Sequence, residues 1–258
     1  MPIQRLTTQL YLPPGIPTGG VIREFLQLAL EKHRWFSPAR YGMAFLDGVS
    51  DSGHVELDTL QAFYEERKTL CVAAKTNRDF LLVFPSKADD PPYTGKITWV
   101  TSVRTASPQK WRIAHGEQVA EVMRLVRSPL AMTALDADLA RKTQRLVPEG
   151  LGLKLTFTVR GYGEGLAGLF WRNFFGPPFV RMFGERLVSL PEDCRKPLGD
   201  DLVLVQPYEL PTEAGTEQGN TRERALIEHL GPECFYDHER HTPPTRRPVL
   251  DHLTEPLH

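Results

Sequence analysis

A glycine-rich hexapeptide is the most enzyme-like signal in this sequence, because Gly163-Glu164-Gly165-Leu166-Ala167-Gly168 matches the pattern GxGxxG. In dinucleotide-binding proteins such glycines follow a strand and open a helix, so that the backbone approaches a pyrophosphate and helix N–H groups bind it. The hexapeptide follows an alternating segment, residues 153–159, and precedes an apolar segment predicted to be helical, residues 166–175.

Three features of the surrounding sequence favour a packing role for this glycine motif. A nucleotide-binding strand is central and apolar on both faces, whereas the apolar residues of 153–159 alternate with polar ones. Glu164 would place negative charge beside the phosphates, and Gly176-Pro177-Pro178 ends the predicted helix early. Only about ninety residues follow the motif, too few for a doubly wound sheet. We therefore expect a tightly packed turn, with a small nucleotide-binding enzyme as the alternative.

The other candidates for catalysis or metal binding are better explained by turns and solvent exposure. His238 and His241 are three residues apart in a proline-flanked tail, whereas the zinc motif HExxH places its histidines four apart on one helix. Residues 51–54 bring Asp, Ser and His into a short polar segment, and Asp89-Asp90 and Asp200-Asp201 abut proline or glycine, which is typical of solvated turns. The sequence predicts no catalytic residue, no metal site and no cofactor.

The composition is that of a soluble globular protein. Hydrophobic residues make up 41% of the 258 residues, and 31 basic residues nearly balance 32 acidic ones, for a net charge of −1. Binding to phosphate backbones or anionic lipid needs a strong positive field, so neither nucleic acid nor membrane is an expected partner. No transmembrane run or secretory signal is recognisable, and the three widely spaced cysteines fit a reducing compartment. A cytoplasmic protein is predicted.

Hydrophobic periodicity in the first half predicts helices that cover an antiparallel sheet. Apolar residues recur at helical spacing in residues 20–34 and 57–64, and they alternate in residues 41–45, 80–84 and 97–103. Strands buried on both faces read as continuous apolar runs, so this alternation indicates a sheet with one face covered by helices. The predicted fold class is α+β with a largely antiparallel sheet, and two similar halves are an open alternative.

The second half contains further helices and strands. Helices are predicted at residues 119–126, 129–146, 179–183 and 221–230. The second of these has Ser128 as its N-cap and Pro129 at its first position. Residues 153–159 are the clearest strand of the chain and should bury one face, and residues 202–205 form another strand.

The last part of the chain differs in composition from the rest. From residue 237 onward it is rich in His, Pro and Arg and has few apolar residues. Such a segment buries too little surface to offset the entropy of ordering it. Residues 1–236 are therefore expected to form one domain, and residues 237–258 a flexible or loosely docked tail.

An aromatic stretch in the C-terminal half carries a resemblance to a known group of proteins. It reads Phe170-Trp171-Arg172-Asn173-Phe174-Phe175-Gly176-Pro177-Pro178-Phe179-Val180, continues through Phe183-Gly184 and is followed by Leu230-Gly231-Pro232-Glu233. Residues 153–236, with support from residues 41–46, resemble immunity proteins of bacterial contact-dependent toxin systems, encoded beside polymorphic or type VI secreted toxins. The resemblance implies a cytoplasmic α+β inhibitor that binds a cognate toxin, often a nuclease, and masks its active site.

Two acidic segments are the predicted toxin-binding surface. They are the loop with Asp89, Asp90 and Tyr93 and the run with Glu209, Glu213 and Glu217. Exposed carboxylates steer association with a basic partner, and an adjacent aromatic side chain can anchor it. Besides a toxin inhibitor and a nucleotide-binding enzyme, a structural subunit of a secretion assembly is a third interpretation.

Overall fold

The computed structural model describes residues 4–43, 55–76, 78–86, 94–150, 152–199, 201–250 and 253. The strands are β1 Arg5–Tyr11, β2 Arg40–Gly42, β3 Leu70–Ala73, β4 Phe80–Phe84, β5 Lys96–Ser102, β6 Leu130–Leu135, β7 Gln144–Glu149, β8 Gly152–Phe157, β9 Arg172–Phe175, β10 Arg195–Pro197 and β11 Val203–Val205. The α-helices are α1 Gly19–Leu26, α2 Leu57–Arg67, α3 Val103–Ala106, α4 Gln109–Leu125, α5 Asp136–Thr143, α6 Pro177–Phe183, α7 Glu185–Val188 and α8 Glu217–Leu230.

Within the described residues, nine of these strands form one antiparallel sheet in the order β10-β11-β9-β6-β1-β5-β4-β3-β2. The first strand of the chain, β1, lies in the middle, where Leu10 is opposite Ile97 of β5 and Ala131 of β6. Strands β4 and β5 pair as the predicted hairpin. The α+β fold with a largely antiparallel sheet is confirmed.

One face of the sheet is covered by the helices of the first half of the chain. Helix α1 buries Phe25, α2 buries Leu60 and α4 buries Val119 in one apolar core with sheet residues such as Trp99. The predicted first helix continues past α1 as a π-helix, Gln27–Lys32, which presents Ala29 and Leu30 to the same core. These amphipathic helices follow the predicted hydrophobic spacing because their stability comes from burying one face.

The other face of the sheet is covered at only one end. Beneath β9 and β6, helices α6, α7 and α8 form a second core that includes Phe175, Phe179 and Leu230. At the other end, Phe80, Leu82 and Phe84 project from the same face of β4 and stay partly exposed. At the β9 and β6 end, the sheet therefore lies between two layers of helices. At the β4 end, one face of the sheet stays accessible.

The predicted helix at residues 129–146 is wrong. Leu130–Leu135 is the strand β6, a helix begins only at Asp136, and Gln144–Glu149 is the strand β7. Residues 130–134 are buried without a polar side, as expected of a strand between two neighbours. Sheet pairing therefore overrides the local helix-start signal of Ser128 and Pro129.

The predicted helix at residues 166–175 is also wrong. This apolar segment is extended and ends as β9, whose Phe174 pairs with Ala131 of β6 and Leu204 of β11. The segment is only ten residues long, and an apolar run of that length does not distinguish a buried strand from a buried helix.

Residues of the predicted tail make defined contacts with the second core. The backbone N–H groups of Thr245 and Arg246 both donate to the carbonyl of Glu233, and the Arg246 guanidinium donates to the carbonyl of Met182 at 2.6 Å. Leu250 and Leu253 pack against the same core. The domain boundary after residue 236 and the mobility of the tail stay predictions.

Candidate protein-binding groove

A two-stranded hairpin stands apart from the main sheet. Strand β7 leaves helix α5 directly and pairs with β8, and in the described part of the chain these two strands pair only with each other. Residues 153–159 were expected to form a strand, and β8 confirms this for Gly152–Phe157. The expected burial of one face is wrong, because Leu153, Leu155 and Phe157 are 67%, 50% and 58% exposed.

The exposed apolar side chains share one face of the hairpin. Leu146 lies opposite Leu155, and Gln144 at the base lies opposite Phe157. Because side chains alternate along a strand, Leu146, Leu153, Leu155 and Phe157 all project to the same side. Leu146 is 60% exposed as well. The opposite face carries Val147 among mostly polar residues, and Lys154 and Glu149 form an ion pair there at 2.7 Å. A contiguous exposed apolar face of this kind is characteristic of an interaction surface.

The apolar face of the hairpin continues into a groove of about 850 Å³. Gln144 and Phe157 form its hairpin side, and helix α5 forms a wall with Leu139 and Thr143. The accessible face of the sheet forms the floor, to which β1, β4 and β5 contribute Gln9, Tyr11, Phe84 and Lys96. Since Gln144 and Phe157 are the pair at the base of the hairpin, the exposed leucines extend one wall of the groove outward.

Three charged side chains also line the groove, namely those of Lys96, Asp136 and Arg160. The Lys96 ammonium stands 5.9 Å from the centre of the Tyr11 ring, and burial lowers the pKa of Lys96. Burial also raises the pKa of Tyr11 to about 12, so its hydroxyl stays protonated at neutral pH. Asp136 accepts a hydrogen bond of 2.5 Å from the Thr7 hydroxyl. The groove therefore offers an apolar surface with two cations, Lys96 and Arg160, and one anion, Asp136, which suits an amphipathic segment of a partner.

The predicted acidic surface is only partly described. Glu209 and Glu217 are exposed and Glu213 is partly exposed; they lie between the end of the sheet and the first residue of α8, outside the lining of the groove. The Glu209 carboxylate is 3.4 Å from the guanidinium of Arg112, and the Glu213 carboxylate accepts a hydrogen bond from the backbone N–H of Leu210. Their role in partner binding stays a prediction. The other three predicted residues, Asp89, Asp90 and Tyr93, lie outside the described residues.

The glycine motif forms a packed turn rather than the start of a helix. A single 3₁₀ turn, Tyr162–Glu164, is followed by extended chain, so the motif presents no helix N-terminus to a phosphate. Gly165 has φ of +109°, and a Cβ there would lie 2.7 Å from the Pro244 side chain. A Cβ at Gly168 would lie 3.3 Å from the Lys142 side chain. Glu164 binds Arg160, whose guanidinium donates to it at 2.6 Å.

His238, one of the two histidines considered as metal ligands, is hydrogen-bonded elsewhere, and so is the nearby His229. His238 lies 2.6 Å from the carbonyl oxygen of Ala167, and His229 contacts the Ser189 hydroxyl at 2.9 Å. Among the residues that the structure describes, no three His, Cys, Asp or Glu side chains are grouped to hold a metal ion.

No protein-family model matches the chain, and no curated protein does. Among solved structures, the chain is similar to the Pseudomonas aeruginosa T6SS protein PA0821. The TM-score is 0.54 at 9% sequence identity, and the match covers 97% of this chain and 81% of that protein. At this identity the similarity shows a shared fold over nearly the whole chain.

No helix in the described part of the chain combines the length and the apolar character needed to cross a bilayer.

The groove draws on residues that the sequence did not bring together. Periodicity identified β8 and the hairpin β4–β5, but β1 and β7 were missed, and these two strands supply part of the floor and part of one side of the groove. A usable signal was present in residues 144–157. A short run containing Leu146 and a run in which Leu153 and Leu155 alternate with polar residues flank Pro148-Glu149-Gly150, a composition typical of a hairpin turn.

Proposed function

We propose that this protein is an immunity protein that binds a toxin of a type VI or related secretion system and masks its active site. The observation that carries the proposal is the exposed apolar face of the hairpin β7–β8, which continues into the groove. Contact of four large apolar side chains with water is unfavourable. A protein partner that covers them would remove this apolar surface from water, which stabilises the complex.

Two further observations support a toxin as the partner. The aromatic stretch of residues 170–180 resembles immunity proteins, and the overall fold is similar to that of a T6SS protein. The groove also fits the binding mode that masking requires, since an inserted segment of the partner would be enclosed by the sheet, α5 and the hairpin.

Co-expression with the toxin encoded beside this gene tests the proposal. We expect growth to be restored and a one-to-one complex to be recovered by purification. Failure of both results would contradict a toxin-binding function. Recovery of this chain with components of a secretion assembly instead would favour the structural-subunit interpretation.

A pair of matched variants tests the surface. Phe157→Asp places a charge in the groove, whereas Val188→Asp places one on α7 at a side chain that is equally exposed, at 58%. We expect Phe157→Asp to abolish growth rescue and complex formation while Val188→Asp preserves both. A complex that survives Phe157→Asp unchanged would place the toxin-binding surface elsewhere, for example at Glu209, Glu213 and Glu217.

A further inference from the structure

A buried arginine without an acidic partner lies on the helix-covered face of the sheet. Arg172 of β9 is only 6% exposed. Its Nε donates to Oε1 of Gln206 at 3.0 Å, and the guanidinium stacks 4.3 Å above the Trp171 ring. Among the described residues, no carboxylate forms an ion pair with Arg172. A buried charge is costly unless a counter-charge compensates it, so an anion beside Arg172 would stabilise the protein.

The remaining partner of Arg172 cannot provide negative charge. A second guanidinium nitrogen is 2.9 Å from Nδ1 of His115. Since a guanidinium only donates, Nδ1 accepts, and the imidazole proton sits on Nε2, which donates to the Thr8 hydroxyl at 3.0 Å. Burial, together with the charge of Arg172, holds the pKa of His115 well below its ordinary value, so the ring is neutral.

Arg172 borders a cavity of about 220 Å³ between helix α4 and strands β9, β10 and β11. Three further cations line it, Arg112, Arg195 and Lys196. Arg112 is 3.4 Å from Glu209 and Lys196 is 2.6 Å from Glu117, so both have acidic partners.

Arg195 differs from these two cations. In the described part of the chain it forms no ion pair, and its Nε is buried without any hydrogen-bond partner. Buried donors are nearly always satisfied, so a lone one beside a cavity indicates an acceptor still to be bound.

The acidic side chains at the cavity do not balance the positive charge of these cations. Asp193 is held by Arg222 at 2.6 Å, and Glu192 is exposed. Arg172 and Arg195 are thus two cations without an ion pair among the described residues, against the single carboxylate of Glu192.

Gly116 keeps the cavity open on the side of α4. It lies in the interior of the helix, where glycine is unfavourable, and a Cβ there would lie 4.0 Å from the Arg172 guanidinium. Any longer side chain would extend into the space beside Arg172. The helix therefore leaves room next to the buried charge.

We propose that this cavity binds a small oxyanion, a carboxylate or a phosphate group, between Arg172 and Arg195. Both groups present oxygen acceptors in the geometry that guanidinium donors match, and such charge-assisted hydrogen bonds are the strongest available to a surface cavity. Bound there, the anion would neutralise the charge of Arg172 and satisfy Nε of Arg195. Anion binding at this cavity does not depend on toxin binding at the groove.

Thermal unfolding of the full chain tests the site. Sodium phosphate and sodium acetate are titrated separately, with sodium chloride at the same ionic strength as the reference. We expect a saturable rise of the unfolding temperature with at least one oxyanion and none with chloride. A response to phosphate alone would show that the cavity binds a phosphate group, and a response to acetate alone that it binds a carboxylate. A response to both would show that it accepts either group. No saturable response to either anion would overturn the proposal.

Three variants locate the effect. Arg195→Gln changes a partly exposed side chain. Because it removes a charged donor, we expect the anion concentration that gives half of the maximal response to rise about tenfold or more. Gly116→Leu fills the cavity from α4 and should abolish the response. Arg224→Gln, at an exposed arginine on α8, is the matched control and should respond like the parent protein. Equal responses of the parent and Arg195→Gln would show that the anion binds elsewhere.

Discussion

The guanidinium of Arg172 donates a hydrogen bond to Nδ1 of His115 across 2.9 Å in the interior of the protein. Burial of the ring, together with this contact, holds the imidazole neutral, because protonating Nδ1 would remove the acceptor and place two positive charges side by side. The charged group facing His115 from the sheet is Arg172, and its other close neighbours, Thr8, Trp99 and Trp111, are uncharged.

The buried His115 predicts a loss of stability in mild acid. In the unfolded chain its pKa returns to about 6.5, whereas in the folded chain the pKa is well below 6.5. The unfolded chain therefore binds one more proton below that pH, and the free energy of unfolding should fall by as much as about 1.4 kcal/mol per pH unit. Urea unfolding at pH 7 and pH 5 measures this, and His115→Gln should show a shallower dependence. Equal slopes would contradict the assignment.

Gly116→Ala should stabilise the protein in the absence of a bound anion. The added Cβ would meet Leu204 at 3.9 Å and Arg172 at 4.0 Å, which are ordinary contacts, while alanine favours the helix by about 0.5–1 kcal/mol. Urea unfolding checks this. Gly219→Ala on α8 is the counterpart, since its Cβ would lie 2.2 Å from the Glu213 carbonyl oxygen, and it should destabilise. A destabilised Gly116→Ala variant would contradict the described packing around α4.

Gly165→Ala should destabilise the turn formed by the glycine motif. The backbone there has φ of +109°, and the new Cβ would clash with Pro244 at 2.7 Å. Strain and overpacking together predict a loss of about 2–4 kcal/mol, measured by thermal or urea unfolding. Gly152→Ala in β8 meets nothing within 4 Å and serves as the control. Similar stabilities of the two variants would show that Gly165 is not packed as described.

Lys142→Met should be strongly destabilising. The Lys142 ammonium is buried between Asp138 at 3.0 Å and Glu223 at 2.8 Å, so its removal leaves buried carboxylates without their main counter-charge. We expect a loss of about 3–5 kcal/mol. Lys154→Met breaks an exposed pair with Glu149 and should cost no more than about 1 kcal/mol. Urea unfolding of both variants measures the difference, and comparable losses would contradict a buried network.

Leu146→Ser combined with Leu155→Ser should leave stability within about 0.5–1 kcal/mol of the parent, because both side chains are exposed in the free protein. The double variant should also bind less of a dye that fluoresces on apolar surfaces. Unfolding by urea and dye fluorescence measure the two effects. A large loss of stability would show that this face is buried in solution, as it would be between two copies of the chain.

Local patterns predicted the elements whose partners are close in sequence. The hairpin β4–β5 and helices α1, α2 and α8 follow directly from apolar spacing, because each forms within one short stretch of chain. Strand β1 was missed. Its Thr and Gln residues give it a weak alternation, and its partners β5 and β6 are about 90 and 125 residues away.

The groove was less predictable than the fold. The alternation in β8 correctly predicted a strand. The expectation that its apolar face is buried was wrong, because Leu153 and Leu155 are exposed. The cavity beside Arg172 depends on β9, which was predicted as a helix, and on the return of residues 195–206 to the sheet. Sequence spacing alone gives no indication that Arg172 and Arg195 line the same cavity.

The central place of β1 has a consequence for biosynthesis. Residues 5–11 leave the ribosome well before both of their neighbours in the sheet, residues 96–102 and 130–135. Until its partners emerge, both edges of β1 are unpaired. Closing the sheet then requires contacts between distant parts of the chain, which slows folding. Strand β1 is therefore a segment that needs protection from aggregation while its two partner strands are still being synthesised.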